Sequence, residues 1–309
     1  MASRSTASLR WQLLRQRLLP KSNCFDNQDL NRISRRPHGH FGLINFEQMR
    51  FCETEDELPG GDCEFVTFKY HIPVNPAVDL LLSQRNEDKT CYSDFSYAKK
   101  HQIDMTGLVG LWPAEEVLTY HCVSNASLFR NKRVLELGSG YGLAGLAIAA
   151  CTEAAQVILT DGNPQIVDYL RANINRNRKV FRVDEVDGCL LHWSNDVPAE
   201  LRYNIDIVIA ADCTFFSDMH SALASSVKLL LKRSSESSAL FFNPQRDGSL
   251  NSFLETARGM GFSVQLIERY DPSVWSIHES LMKGESSAWY NYDMDHCYPL
   301  LAVLKFAET

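Results

Sequence analysis

The sequence lacks an excess of basic residues. Lys and Arg total 31 against 38 Asp and Glu, a formal net charge of −7, so the overall positive footprint required by a nucleic-acid backbone is missing. It also lacks any apolar run near the ~18 residues needed to span a bilayer as a helix. Cysteine is present without organisation. The nine residues, Cys24, Cys52, Cys63, Cys91, Cys122, Cys151, Cys189, Cys213 and Cys297, form no Cys-x-x-Cys pair and are odd in number. That argues against a zinc site or disulfide framework and for free thiols in a reducing compartment. His121, His192 and His296 show no metal-ligand spacing, and no metal is expected. No internal repeat is visible.

What is there is a chain of 309 residues, 45% of them hydrophobic, long enough for one large α/β domain with a smaller appendage. The division expected is an N-terminal extension over 1–111 and a main domain over 112–309. In the extension, Arg4, Arg10, Arg15, Arg17 and Lys21 precede the first acid, Asp26. This composition reads either as an organelle transit peptide or as a basic amphipathic helix with Leu9, Leu13, Leu14 and Leu18 on one face. Residues 22–62 read as a polar linker, with acids from Glu53 to Glu57 and then Pro59-Gly60-Gly61. Alternation from Phe65 to Ile72, turn residues Pro73, Asn75 and Pro76, and Leu80-Leu81-Leu82 predict a β-hairpin.

From residue 112 the pattern alternates between helix and strand. Helices are expected at 113–123, 143–151, 164–177, 217–231 and 249–259. Strands are expected at 133–137, 157–160, within 180–190, and at 205–211, 239–242, 262–268 and 300–306. Such alternation predicts a parallel sheet covered on both faces. The last two strands, with no clear helix between them, predict an antiparallel end. Trp275, Trp289, Tyr290 and Tyr292 fall in a loop-like insertion there, as a partner surface or as the insertion's own core.

The most informative stretch is Val134-Leu135-Glu136-Leu137-Gly138-Ser139-Gly140-Tyr141-Gly142-Leu143-Ala144-Gly145. A buried strand runs into glycines and then a helix, so the backbone can turn sharply and lie against a ligand. Gly140, Gly142 and Gly145 satisfy the dinucleotide pattern G-x-G-x-x-G, with Asp161 about 20 residues on. Counted from Gly138, where the strand ends, Leu143 takes the close-packing glycine position and fits that pattern poorly. The alternative is E-x-G-x-G-x-G, formed by Glu136, Gly138, Gly140 and Gly142, in which the loop cradles an amino acid and a ribose. Glu136 would then accept a hydrogen bond from the ligand ammonium. Asp161, at a strand end, is placed for the ribose hydroxyls or is a turn aspartate. Trp193 is placed for an adenine face or for the core.

Trp112-Pro113-Ala114-Glu115-Glu116-Val117-Leu118 and Asp212-Cys213-Thr214-Phe215 resemble the two markers of the seven-strand protein-lysine methyltransferases. Within that group the chain closely resembles the calmodulin-lysine N-methyltransferase family. The likeness runs nearly end to end, through Leu9–Gln16, Trp112–Tyr120, Leu159–Asn163, Ala211–Cys213 and His296–Leu301, and it favours a helix over a transit peptide at the N-terminus. It implies a Rossmann-like seven-stranded sheet, S-adenosyl-L-methionine as cofactor, and trimethylation of one lysine of calmodulin by a monomer in the cytosol, also in the nucleus. It also implies cofactor contacts at Ser139, Gly162, Asn163 and Ala211 beside those already named. Phe215 stands where many relatives carry Tyr, so no phenolic hydroxyl is expected there. Asp212 is expected to position the lysine nitrogen, or else to cap helix 217–231. Phe215 and Phe216 wall the channel or fill the core, and Trp112 closes over the cofactor or packs at its helix start. Calmodulin is acidic, so binding it calls for a local basic patch. Arg32, Arg35 and Arg36 form one candidate, and Lys99, Lys100 and His101 another. Rival functions are methylation of a different protein, small-molecule methylation or NAD-linked oxidoreduction, and a cofactor-binding scaffold without catalysis.

Overall fold

The computed structural model describes residues 39–49, 65–85, 106–108, 110–194, 196–285, 289 and 292–307. The expected N-terminal helix, the linker acids and both basic patches lie outside these residues.

Two sheets are present. A small antiparallel one joins β1 (Asn45–Gln48), β2 (Phe65–Ile72) and β3 (Val78–Arg85) in that order. The predicted hairpin is β2–β3. The third strand, β1, is short and exposed throughout, which leaves no alternation to read in its sequence. The edge of β3 is covered by asparagines of the helix Pro164–Asn177. Ser83 N–H donates to Asn173 Oδ1 at 2.8 Å, and Leu81 N–H to Asn177 Oδ1 at 2.9 Å. Both side chains also return a donor, to Ser83 O and Leu81 O. The asparagines thus satisfy strand groups that a neighbouring strand would otherwise pair.

The main sheet has seven strands in the order β6-β5-β4-β7-β8-β10-β9. They are β4 (Arg133–Leu137), β5 (Gln156–Asp161), β6 (Val186–Leu190), β7 (Ile207–Ala211), β8 (Ser238–Asn243), β9 (Phe262–Ile267) and β10 (Leu300–Phe306). Pairing is parallel except at β10, which runs antiparallel to both β8 and β9. The helices are α1 (Pro113–Ser124), α2 (Leu143–Cys151), α3 (Pro164–Asn177), α4 (His220–Leu230), α5 (Ser249–Gly259), α6 (Pro272–Met282) and the single turn α7 (Met294–Cys297). Every residue of α2 is buried, as its alanine-rich apolar sequence requires. Chain order reverses at β4, with β5 on one side and β7 on the other. In an open α/β sheet this switch point is where ligands bind, beyond the carboxyl ends of the strands. No helix among the described residues is long and apolar enough to cross a membrane.

Three expectations need correction. The range 22–62, expected as a polar linker, contains β1 and buries Phe41 and Ile44 in the core. The region between β9 and β10 contains α6, begun by Asp271, whose carboxylate accepts the N–H groups of Ser273 and Val274, and by Pro272 at the first helical position. The described aromatics of this region, Trp275, Trp289 and Tyr292, are packed. Trp289 is buried and meets Phe41 and Tyr292 edge-on, and Trp275 meets Tyr298 and His278. The expected helix 217–231 is a 3-10 turn at Ser217–Met219 followed by α4. Asp212 caps neither, since Phe216 and Met219 hold those positions.

The small sheet's approach to the main one is fixed by Glu116 on α1. Its Oε2 accepts Phe41 N–H at 2.7 Å, and Oε1 accepts Leu43 N–H at 2.7 Å and Ile44 N–H at 3.2 Å. Removal of this acceptor strands three donors. Glu116→Ala is therefore expected to cost about 2–4 kcal/mol of stability and to speed amide exchange at Phe41, Leu43 and Ile44. Glu116→Gln, which keeps one acceptor oxygen, should fall between, as read by denaturant unfolding and exchange.

Candidate active site

At the switch point lies a cleft of about 610 Å³, within the range of small-molecule sites. Its floor is the turn from β4 to α2. Gly138, Gly140 and Gly142 all have positive φ, at 65°, 53° and 86°, a conformation favoured only for residues without a Cβ. Gly138 is also held by space, because a Cβ there would meet Cys213 Sγ at 2.9 Å and the Trp193 ring at 3.3 Å.

Twelve of the fourteen residues given a cofactor or substrate role in the sequence border the cleft. Gly138, Ser139 and Gly140 form the floor. Asp161, Gly162 and Asn163 stand at the end of β5, and Trp193 follows β6. Trp112 opens α1, and Ala211, Asp212 and Phe215 lie at and beyond the end of β7. Asp161 Oδ2 accepts Gly140 N–H at 3.2 Å, and Oδ1 accepts Asn163 N–H at 2.9 Å, so this carboxylate ties the floor to the wall.

Glu136 and Gly142 do not border the cleft. Glu136 is 1% exposed and lies beneath the loop, its Oε2 accepting Gly145 N–H at 3.1 Å. The acid that does reach the cleft is Glu115 of α1, whose Oε1 accepts Ala144 N–H at 2.8 Å. The two carboxyls thus satisfy successive amide donors at the start of α2, where Gly142 offers no side-chain cap. Glu136 Oε1 faces no donor among the described residues. Burial pushes Glu115 up to about 7, against the lowering effect of Ala144 N–H and the Glu136 hydrogen bond. Burial and then the Glu115 charge push Glu136 well above the carboxylate range. Glu115 was legible in sequence only as part of the helix-opening motif, since neither spacing nor composition shows which acid faces another across a fold.

Asp212 is the second buried acid at the cleft, its side chain 7% exposed. It has φ 54°, outside the conformation most residues prefer. Its loop is held from behind, as Asn243 Oδ1 accepts Cys213 N–H at 2.6 Å and Thr214 N–H at 3.1 Å. Asp212 Oδ2 accepts Arg246 Nη2 at 2.6 Å. Burial raises the carboxyl and the Arg246 charge opposes that rise. The Arg246 guanidinium carbon lies 5.5 Å from the Trp112 ring centre and 5.6 Å from that of Phe215, within reach of both π faces. Phe215 and Phe216 lie against each other, with ring centres 3.9 Å apart, and Phe216 is exposed at the mouth.

The acid pair carries a pH signature. Both groups hold protons in the folded chain above the pH, near 4.5, at which an unfolded glutamate loses its own. The folded state binds more protons there, so stability falls as pH rises from about 4.5 through about 7. Urea midpoints measured across that window should show the fall. Glu136→Gln, which retains an acceptor for Gly145, should remove the Glu136 share and leave the fall due to Glu115, whose rise comes from burial.

A family model described as lysine methyltransferase matches residues 99–259, which include the floor and both walls. A protein of Arabidopsis thaliana named calmodulin-lysine N-methyltransferase is 44% identical over 300 residues, covering 97% of this chain and 96% of the relative. Protein-lysine N-methyltransferase EEF2KMT of Mus musculus is 32% identical over 134 residues, covering 40% of each chain. Among solved structures, a SAM-dependent methyltransferase from Aquifex aeolicus gives a TM-score of 0.41 at 15% identity, covering 68% of this chain and 96% of that one; the strand order, not this likeness, defines the fold. The chain belongs to the lysine methyltransferase family, whose methyl donor is S-adenosyl-L-methionine.

Proposed function

We propose that the chain trimethylates one lysine of calmodulin, with the cofactor in the cleft at the ends of β4, β5 and β7. The substrate rests on one observation, the end-to-end 44% identity with the Arabidopsis protein of that name.

The residues present fit the cofactor. A Cβ on Gly140 would meet nothing nearer than Gly107 O, at 3.7 Å, so the floor is open where an amino acid and ribose would lie. Asp161 is placed to take the ribose, with Gly162 and Asn163 beside it. Trp193 and Leu191 offer apolar surface to the adenine. Glu115, rather than Glu136, presents a carboxylate to the amino-acid head. Ser139, Ala211 and Trp112 complete the enclosure.

When bound, the cofactor supplies a methyl group already activated by its sulfonium. The chain's own contribution is orientation and electrostatics. The substrate nitrogen has to arrive neutral, although free lysine has a pKa near ~10.4. Burial among Trp112, Phe215 and Phe216 disfavours its charged form. In the first two transfers Asp212 directs the nitrogen by accepting one of its hydrogens, and the proton released leaves to water; the dimethylated nitrogen that takes the third methyl has no N–H, is oriented by the aromatic walls alone and releases no proton.

The test is transfer of labelled methyl from S-adenosylmethionine to unmethylated calmodulin, with mass mapping of the product. Label on a single lysine, reduced at least about 100-fold by Asp212→Ala (near 3 kcal/mol in barrier), is expected. Cofactor binding without label on calmodulin would overturn the substrate assignment and leave the family intact.

A further inference from the structure

Arg246 belongs to none of the motifs read in the sequence, yet it is the only basic side chain bound to Asp212 among the described residues. It sits in a rigid turn between β8 and α5. Arg246, Asp247 and Gly248 have φ of 44°, 54° and 83°. The turn is held by α7: Arg246 N–H donates to Asp295 O at 2.8 Å, and Asp247 N–H to Asp295 Oδ2 at 2.7 Å. A backbone fixed in this way sets the cation in place.

The pairing is incomplete in an informative way. An arginine that serves only to neutralise a carboxylate commonly grips both of its oxygens. Here the guanidinium makes one hydrogen bond, from Nη2 to Oδ2, and its buried Nε has no partner among the described residues. Asp212 Oδ1 receives no hydrogen bond from them either. The carboxylate thus has one oxygen committed to a fixed positive charge and one left over at the cleft.

We propose that Arg246 is a positioning residue for the substrate amine: by holding one oxygen of Asp212 it makes the pair neutral, so that the target lysine is received as a free amine hydrogen-bonded to the other oxygen. The inference rests on the role proposed above for Asp212. Its physical basis is the sign of the field. A lone carboxylate within 4–6 Å stabilises an ammonium and raises its pKa by about 1–3 units, which removes the lone pair that attacks carbon. A carboxylate already paired with guanidinium keeps its acceptor oxygen and loses that penalty.

Other charged or titratable groups around the pair do not replace Arg246. Cys213 adjoins Asp212, and Cys297 of α7 lies near both members; burial raises both thiols, which leaves them uncharged. Asp295 is engaged with the turn, and Asp247 faces His296 at 3.8 Å. Asp293, near Cys297, and Asp218 and Asp161 along the cleft are acids, so they offer no positive charge; Glu115 is held protonated by burial. In the described residues Arg246 is the one cation that offsets Asp212.

The experiment is the single-turnover rate as a function of pH, with saturating S-adenosylmethionine and unmethylated calmodulin, for wild type, Arg246→Met, Arg246→Gln, Arg246→Lys and Asp212→Ala. Without the guanidinium, the Asp212–lysine pair holds one extra proton, on either partner, and the productive form appears only at higher pH. The rising limb should move up by at least ~1 unit in Arg246→Met and Arg246→Gln. That is a loss of about tenfold near neutral pH, recovered on the alkaline side. Arg246→Lys should keep the wild-type profile. In the protein alone, the Asp212 carboxyl followed by carbon NMR should titrate higher in Arg246→Met. If the neutral variants lose rate at every pH with an unmoved limb while Asp212→Ala is inactive, Arg246 is only structural and the inference is overturned. If Asp212→Ala keeps the wild-type rate, the Asp212 reading itself fails, separately from any result on Arg246.

Discussion

The site depends on how the first turn of α2 is satisfied. A helix that begins directly after a left-handed glycine has amide donors with no capping side chain, and burial denies them water. Glu115 and Glu136 supply the acceptors for Ala144 and Gly145. Gly145 makes this geometry affordable in space, because a Cβ there would lie 2.7 Å from Glu136 Oε2 and 2.7 Å from Leu159. The glycine loop, which a pattern search reads as ligand contact, is therefore equally a solution to an internal hydrogen-bonding problem. Its ligand-facing shape follows from groups lying underneath it.

The opposite wall is built by a different device. Asp212 leaves β7 in a left-handed conformation, and the next two amides turn to a single oxygen of Asn243 at the end of β8. His220 Nε2 lies 2.8 Å from Thr214 O, and Ser249 donates to the same carbonyl. Three elements thus converge on one short loop. The two walls meet where Cys213 Sγ approaches Gly138, so a change in either displaces the other. This explains why small residues recur at the junction: the space is already occupied by the facing wall.

Much of this was legible in the sequence, and the reasons are local. Buried strands such as Val134–Leu137 and the all-apolar α2 announce themselves by composition, and the glycines between them mark the turn. Asp161 and Asp212 were visible because each ends a strand on the ligand side of the sheet. Helix α6 carries a sound start signal in Asp271-Pro272, but the aromatic cluster from Trp275 to Tyr292 reads equally as a loop-like insertion. Glu115 and Arg246 were not legible for a deeper reason. Each acquires meaning from a partner distant in sequence: Glu136 lies 21 residues beyond Glu115, and Asp212 lies 34 residues before Arg246. Periodicity records which face a residue occupies, and carries nothing about which charge it meets there.

The carboxylates around the cleft show how an acidic chain manages buried charge. Beneath the cleft Glu136 is kept by a proton, on the far side of α1 Glu116 is kept by backbone amides, and at the cleft Asp212 is kept by a guanidinium. These solutions are not equivalent for a reaction that needs an uncharged amine. A protonated acid beside the amine would compete for its lone pair. A carboxylate held by amides alone keeps its full charge and favours the ammonium. Only pairing with a fixed cation leaves an acceptor oxygen with little net charge behind it. The position of Arg246 on Asp212, rather than on any other acid of the cleft, is where that distinction matters for transfer to nitrogen.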